Sequence, residues 1–407
     1  MNFADFILLH DADDPGRLAL SRDRLSRETE DFDLALSTLE SRRKLRGKVP
    51  EWVAVSSLRY PLRLAAEQCS SSETAFYKAS LLGGAACVVD LTGGLGVDSW
   101  AFSRHTEKVL YNEMNPVLAR AAGFNFRELG AENIIVRNKE LKAGCLAEIL
   151  DGFSPDVVYL DPARRAADGR KVFRLEDCQP DVLSLLPELL EACPRLLLKL
   201  SPMADITLVC KQLGCVKQVH VVAAGGECKE LLLLLEKGYE GAYKLFVVED
   251  GAVKEIPGQA GDDGWVKVDG QAGNNGVVMA GPDRPSPCFL FEPGKALLKA
   301  GAFDWPCRFG LSKLGRHTHL YIGPETVREL TPFGKWFQVL DVLPLNKRSL
   351  KDVASRYPQA DVTARNIPLT SDELRARLKV RPGNGIHIFG LHEDASSANL
   401  LMVTEVA

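Results

Sequence analysis

Two short stretches hold the residues best suited to chemistry. The first, VVDLTGGLGVD from Val88 to Asp98, is an apolar run that stops at Asp90 and turns through Gly93, Gly94 and Gly96. A strand feeding a glycine loop lets a parallel sheet bring its backbone close to a nucleotide. The spacing is not the G-x-G-x-x-G that seats a pyrophosphate on a helix N-terminus. An acid four residues before Gly94 and six before Gly96 fits instead a ligand with a cationic amino group near the loop and no phosphate. The second stretch, DVVYLDPARR, ends another apolar run at Asp161, followed by Pro162, Ala163, Arg164 and Arg165. An acid there can accept hydrogen bonds from an amine, and the planar guanidinium groups can pair with phosphate or a carboxylate.

S-adenosylmethionine (SAM) is a ligand of the kind the first stretch fits. Its expected shell is Asp90, Thr92, Gly93, Gly94, Gly96, Val97 and Asp98, joined by Glu113 and Met114 of YNEMNP, Asn138 or Glu140 of RNKE, and Asp161. Glu113 closes the second strand, where a carboxylate can hold both ribose hydroxyls of an adenosine; NAD proteins share this feature, so it supports a nucleoside without choosing the cofactor. Methyl transfer from a sulfonium is an in-line displacement, so positioning and electrostatics carry most of the acceleration. Asp161, Pro162 and Arg164 are the expected catalytic residues, with Asp161 orienting the lone pair of an acceptor amine. A uracil C5 acceptor would call for a cysteine nucleophile, and KLSPMAD, at the end of the fifth strand, has none. Gln68, Ser72, Thr74 and Lys78 lie within about three helical turns. Either they roof the pocket near the transferred methyl and, with Arg164 and Arg165, touch the acceptor, or they are the polar face of an amphipathic helix packed on the sheet.

The elements that must position these residues are legible as AACVVDL, KVLYNEM, NIIVRN, DVVYLD, RLLLKLS, KQVHVVA and KELLLLLE, apolar strands separated by helix-length segments. Such runs require a parallel sheet covered on both faces, hence a doubly wound α/β domain. Residues 1–80 carry helical spacing; within them Arg42 to Lys48, RRKLRGK, reads either as a phosphate-facing patch or as a solvated helix end. VVEDGAVKEI is a hairpin signal around Asp-Gly, and the Gly/Pro/Asp/Asn-rich stretch from Pro257 to Pro287 reads as a linker. The expected domains are 1–80, 81–257, a linker at 258–287, and small α+β units at 288–333 and 335–407, the last holding a helix TSDELRARLKV capped by Thr370 or Ser371.

Composition excludes other classes. No apolar run reaches the roughly 18 residues of a membrane-spanning helix, and the N-terminus MNFADFILLHDADD lacks a signal-peptide pattern. Ten cysteines contain no C-x-x-C pair and no zinc spacing, so neither a disulfide framework nor a structural metal is expected, and the expected compartment is cytoplasmic. The net charge of -4 gives no global attraction to nucleic acid.

Asp161 and Pro162 resemble the start of the D/N-P-P-aromatic tetrapeptide of methyltransferases acting on exocyclic amines, with Ala163 in place of the second proline and Arg164 in place of the aromatic. The chain as a whole resembles bacterial class I SAM-dependent methyltransferases with a C-terminal THUMP-like domain. The resemblance rests on EQCSSSETAFYKA, DLTGGLGVDS, NEMNP, YLDPARR and KLSP, then FLFEPGKALLKAGAF, HTHLY and TARNIPLTSDELRARLKV. Thr92 stands where many members of the superfamily have the first glycine. The resemblance implies a Rossmann-like, seven-stranded catalytic domain, a ferredoxin-like unit and a THUMP-like unit. It also implies RNA as the substrate class, methylated at a base amine or ring nitrogen. Ten Lys/Arg against eight Asp/Glu from Thr331 to Ala407 would not by themselves suggest RNA. A protein or small-molecule acceptor, or SAM binding without catalysis, are the alternatives.

Overall fold

The computed structural model describes residues 1–164, 175–261, 264–266, 279 and 287–407. The chain forms two compact units, one of Met1–Val219 with Glu230–Tyr243, the other of His220–Lys229 with Lys244–Ala407.

In the first unit the apolar runs become β1 (Cys87–Asp90), β2 (Lys108–Asn112), β3 (Ile134–Arg137) and β4 (Val157–Leu160), followed by a two-residue pair β5 (Ala163–Arg164) and β6 (Cys178–Gln179), then β7 (Arg195–Leu200), β8 (Val216–Ala224) and β9 (Glu227–Glu236). β8 counts here as far as Val219, and β9 from Glu230. The sheet runs β3-β2-β1-β4-β7-β9-β8, the expected seven strands. β1, β2, β3, β4 and β7 are parallel, and β9 is antiparallel to β7. Both faces are covered: Val157, Val158, Tyr159 and Leu160 are all buried, as are Leu231 to Leu235. The strand order reverses beside β1, the switch point where open parallel sheets bind ligands.

Residues 1–80 fold as short helices. Phe6, Ile7, Leu25, Phe32, Ala35 and Leu39 make a core of their own. The helix Ser72–Ser80, capped by Ser71, sets Phe76 edge-on against Trp100 of the helix Val97–Ser103, with ring centroids 5.3 Å apart. The cations from Arg42 to Lys48 are engaged within the chain, while Arg43, Lys44 and Arg46 keep exposed side chains at the helix end. Arg42 is 3% exposed and bonds Asp11 at 2.7 Å, Arg43 pairs with Asp14, Arg46 with Asp11, and the Lys48 ammonium bonds the carbonyls of Glu67 and Cys69. The acids that meet Arg42, Arg43 and Arg46 lie about thirty residues upstream, beyond a local reading of the sequence.

In the second unit VVEDGAVKEI forms the hairpin of β10 (Lys244–Glu249) and β11 (Ala252–Ile256). β12 (Gln259–Gly261) pairs with β13 (Gly264–Val266), and most of the expected linker lies outside the described residues. A seven-stranded sheet follows, built from β14 (Phe289–Pro293), β15 (Ser312–Lys313), β16 (Tyr321–Gly323), β17 (Gly334–Pro344), β18 (Asp361–Arg365), β19 (Ile386–Glu393) and β20 (Ala398–Val406), in the order β15-β16-β14-β17-β20-β19-β18. Alternation along β20 sends Leu400 and Met402 to one core, with Phe337 and Phe389. It sends Leu401 and Val403 to another, beneath the helices Lys347–Arg356 and Ser371–Leu378. Thr370 caps the latter helix in a capping box with Glu373. No helix among the described residues is long and apolar enough to cross a membrane.

Candidate active site

Strand register brings the two chemical stretches together. Asp90 sits opposite Tyr111 on one side and Tyr159 on the other, so the loops leaving β1, β2 and β4 share one edge of the sheet. A cavity of about 510 Å³ lies there, within the range of small-ligand and cofactor sites. Leu91, Leu95, Met114, Leu118 and Leu141 supply apolar wall. Asp98, Glu113, Glu140 and Asp161 supply four carboxylates against two ammonium groups, Lys139 and Lys199. The surplus of negative charge suits a cationic ligand.

The glycine loop is shaped by what it touches. A Cβ on Gly93 would lie 2.1 Å from the Tyr111 ring, and Gly96, at φ 95°, is pressed against Phe126. The Tyr111 hydroxyl donates to the Gly94 carbonyl at 2.6 Å, and Glu113 accepts from the backbone N–H of Gly94 at 2.9 Å and of Asn115 at 2.7 Å. Glu113 is therefore aimed into the cavity by the loops it joins. Thr92 departs from glycine with a purpose visible in the geometry, since its hydroxyl accepts from the Asp161 backbone N–H at 2.7 Å, tying the loop after β1 to the one after β4.

Two expected ligands, Asp90 and Asn138, take other places. Asp90 is 1% exposed and does not line the cavity. Its carboxylate accepts from the Thr92 N–H at 3.0 Å and the Ser99 hydroxyl at 2.6 Å, so it braces the loop from below. Burial pushes its carboxyl up to about 8, with Asp98 and Asp161 adding to the rise against those two hydrogen bonds. Asn138 also lies outside the lining and donates to the carbonyls of Glu113 and Met114, holding the loop after β2. Thr92, Gly93, Gly94, Gly96, Val97, Asp98, Glu113, Met114, Glu140 and Asp161 do line the cavity.

Of the helical quartet only Gln68 reaches the cavity. Ser72 donates to Glu51 at 2.6 Å and Thr74 is engaged with the cap residue Ser71. Lys78 is fully buried, with its ammonium 3.0 Å from Glu230, 2.9 Å from the Ser70 hydroxyl and 3.1 Å from Asp98. It roofs nothing, and helps to charge the floor beneath the cavity. Pro162 is buried, Arg164 lies on β5 in register with Cys178, and Arg165 falls outside the described residues.

The floor contains residues the spacing did not single out. Lys199, on β7, pairs with Asp161 at 2.5 Å, and Glu230, on β9, is 3% exposed. Burial works to lower the Lys199 ammonium, but Asp161, Glu230 and Asp98 together drive it above its ordinary value, so it is charged. Burial works to raise Asp98, yet Lys78, Lys199 and the Ser70 hydroxyl hold it below the carboxylate range. Glu230 goes up, because burial outweighs Lys78 and Lys199. A charged residue inside RLLLKLS, and another opening ELLLLLE, were the available signals, since ions in buried strands need partners. Cys69 also lines the cavity; burial, partly opposed by Lys48, pushes its thiol up to about 11, so it is no thiolate nucleophile at neutral pH. Among the described residues no group of three His, Cys, Asp or Glu is placed to hold a metal ion.

The cradle without Cβ atoms, the fixed Glu113 and the acidic lining fit a cationic nucleoside such as SAM. Comparisons with known proteins agree. A ferredoxin-like domain family matches residues 289–330, and a THUMP domain-like family matches residues 334–405. An uncharacterised SAM-dependent methyltransferase of Mycobacterium tuberculosis, in the CDC 1551 and H37Rv strains alike, is 27% identical over 347 residues, 84% of this chain and 87% of the relative. The crystal structure of a provisionally assigned methyltransferase from Porphyromonas gingivalis W83 superposes with a TM-score of 0.82 at 29% identity, covering 100% of this chain and 97% of that one.

Proposed function

We propose that this chain, a SAM-dependent methyltransferase with ferredoxin-like and THUMP-like C-terminal domains, methylates an amine or ring nitrogen of an RNA base. The observation that carries the reading is the single cavity in which the glycine loop, Glu113 and the Asp161–Lys199 pair meet. The THUMP domain-like match over 334–405 supports RNA as the acceptor class.

When bound, SAM supplies a methyl group on a sulfonium centre. The loop from Thr92 to Val97 would hold the donor by its backbone, Glu113 would take the ribose hydroxyls, and Glu140 would meet the adenine. Asp161 accepts a hydrogen bond from the acceptor amine and aims its lone pair. Lys199 pairs with that carboxylate and fixes its position, and the Pro162 carbonyl offers a second acceptor. Arg164 and Arg165 act on the acceptor, where guanidinium groups bind phosphate well. Asp90, Asn138 and Lys78 work indirectly, by holding these groups in place.

The test is transfer of labelled methyl from SAM into the RNA, protein and metabolite fractions of a cell extract treated with the purified chain. Label in RNA is the expected result. Label confined to protein or to small molecules would transfer the function to those acceptors, and SAM binding with no label anywhere would leave a binding protein.

A further inference from the structure

The second unit carries a cavity of about 400 Å³ that methyl transfer does not use. Its lining draws on three segments remote in sequence. Glu292 and Phe303 belong to FLFEPGKALLKAGAF, His317 and His319 to HTHLY, and Arg365 and Asn366 to TARNIPL. These are three stretches of the family resemblance that the catalytic site leaves unexplained, and the fold brings them to one place.

The groups there are arranged around positive charge. Arg365, at the end of β18, donates one amino group to Glu292 of β14 at 2.6 Å, and among the described residues its other donors have no hydrogen-bond partner, although the side chain is only 34% exposed. A guanidinium anchored at one corner by a carboxylate keeps its remaining N–H groups in a fixed plane. His317 is exposed, and Asn366 holds its exposed side chain beside Arg365 from a left-handed backbone, φ 54°. His319 is also left-handed, φ 51°, with its ring stacked 3.9 Å from Phe303, whose centroid lies 5.2 Å from the Lys313 ammonium. Burial, then the charges of Lys313, His317 and Arg365, hold the His319 ring below its ordinary pKa.

We propose that this cavity binds a phosphate group of the RNA substrate, with Arg365 as the charged anchor, His317 and Asn366 as further donors, and Glu292 as the positioning residue that aims the guanidinium. The proposal rests on the RNA reading only for what carries the phosphate; a free nucleotide offers the same chemistry.

The test uses the full chain and a fluorescently labelled structured RNA, with anisotropy measured across a salt series, and adenosine monophosphate and inorganic phosphate titrated separately. Arg365→Ala is expected to weaken RNA binding about tenfold or more, the scale of a lost hydrogen bond to a charged group, and to make the salt dependence shallower by about one phosphate contact. His317→Ala and Asn366→Gly alter exposed residues and should weaken binding by smaller factors. SAM affinity, read out in the first unit, should remain within about twofold in all three if the fold is intact. Wild-type binding to RNA with unchanged affinity and salt slope in the variants would overturn the proposal while leaving RNA methylation standing. Binding of the mononucleotide but not of RNA, lost in Arg365→Ala, would keep the phosphate site and remove RNA as its carrier. Binding of none of the three probes would overturn the site altogether, and label in RNA from the transfer assay would then show that the acceptor reading had survived it.

Discussion

Removing the Lys78 ammonium should be among the most damaging single changes in the first unit. Lys78→Met deletes a charge at a fully buried position and leaves Glu230, itself 3% exposed, without the cation that touches both its oxygens at 3.0 Å. Breaking a buried pair from one side costs about 3–5 kcal/mol, a fifth or more of a typical domain stability of roughly 5–15 kcal/mol. Lys78→Met with Glu230→Gln removes both charges and keeps the volumes, so the double variant should recover about 2 kcal/mol or more of that loss. Hydrogen exchange read in the peptides of the helix Ser72–Ser80 and of β9 isolates this unit from the other. Protection should fall about a hundredfold or more in Lys78→Met, at one decade per 1.4 kcal/mol, and rise again in the double variant. Protection within threefold of wild type in the single variant, or a double variant worse than the single, would refute the account of the floor as mutually compensating charges.

Three further outcomes follow from the site. Asp90 titrates near 8 in the folded chain and near its ordinary value unfolded, so the stability associated with its neutral form is complete at low pH and lost as pH rises through 8; Asp90→Asn should therefore gain on wild type in urea midpoint between pH 5 and pH 8, and a constant difference would contradict the raised value. Gly93→Ala places a methyl 2.1 Å from the Tyr111 ring, and calorimetry should show SAM affinity reduced about tenfold or more, the expense of a displaced loop. Asp161→Ala should keep SAM affinity within a few-fold while kcat drops about a hundredfold, the scale of a lost preorganised contact. Equal loss of both would move Asp161 to the donor side.

The sheet was legible because each buried strand is a continuous apolar run between helix-length segments, and the glycine loop because its spacing is local. What stayed hidden was long-range pairing. Asp90 and Glu113 look alike in sequence, each an acid at a strand end, yet the first turns under its loop to Ser99 and the second faces the cavity. Lys78 and Gln68 share a polar segment, and only burial by β9, some 150 residues away, separates a floor residue from a wall residue. Lys199 passed as part of an apolar strand, because its partner Asp161 arrives from the neighbouring strand. The second cavity was likewise invisible, although all three segments that build it were individually noticeable.

The bond from the Asp161 N–H to the Thr92 hydroxyl has a meaning for how the reaction is gauged. On the proposed reading one loop holds what gives and the other what receives, and an in-line displacement tolerates little error in the gap between them. With that 2.7 Å bond spanning 69 residues of chain, beside the Leu91 N–H to Tyr159 carbonyl bond of the adjoining strands, the two loops share one ruler. A glycine at position 92 would lack the hydroxyl and take away the mark from which that gap is measured.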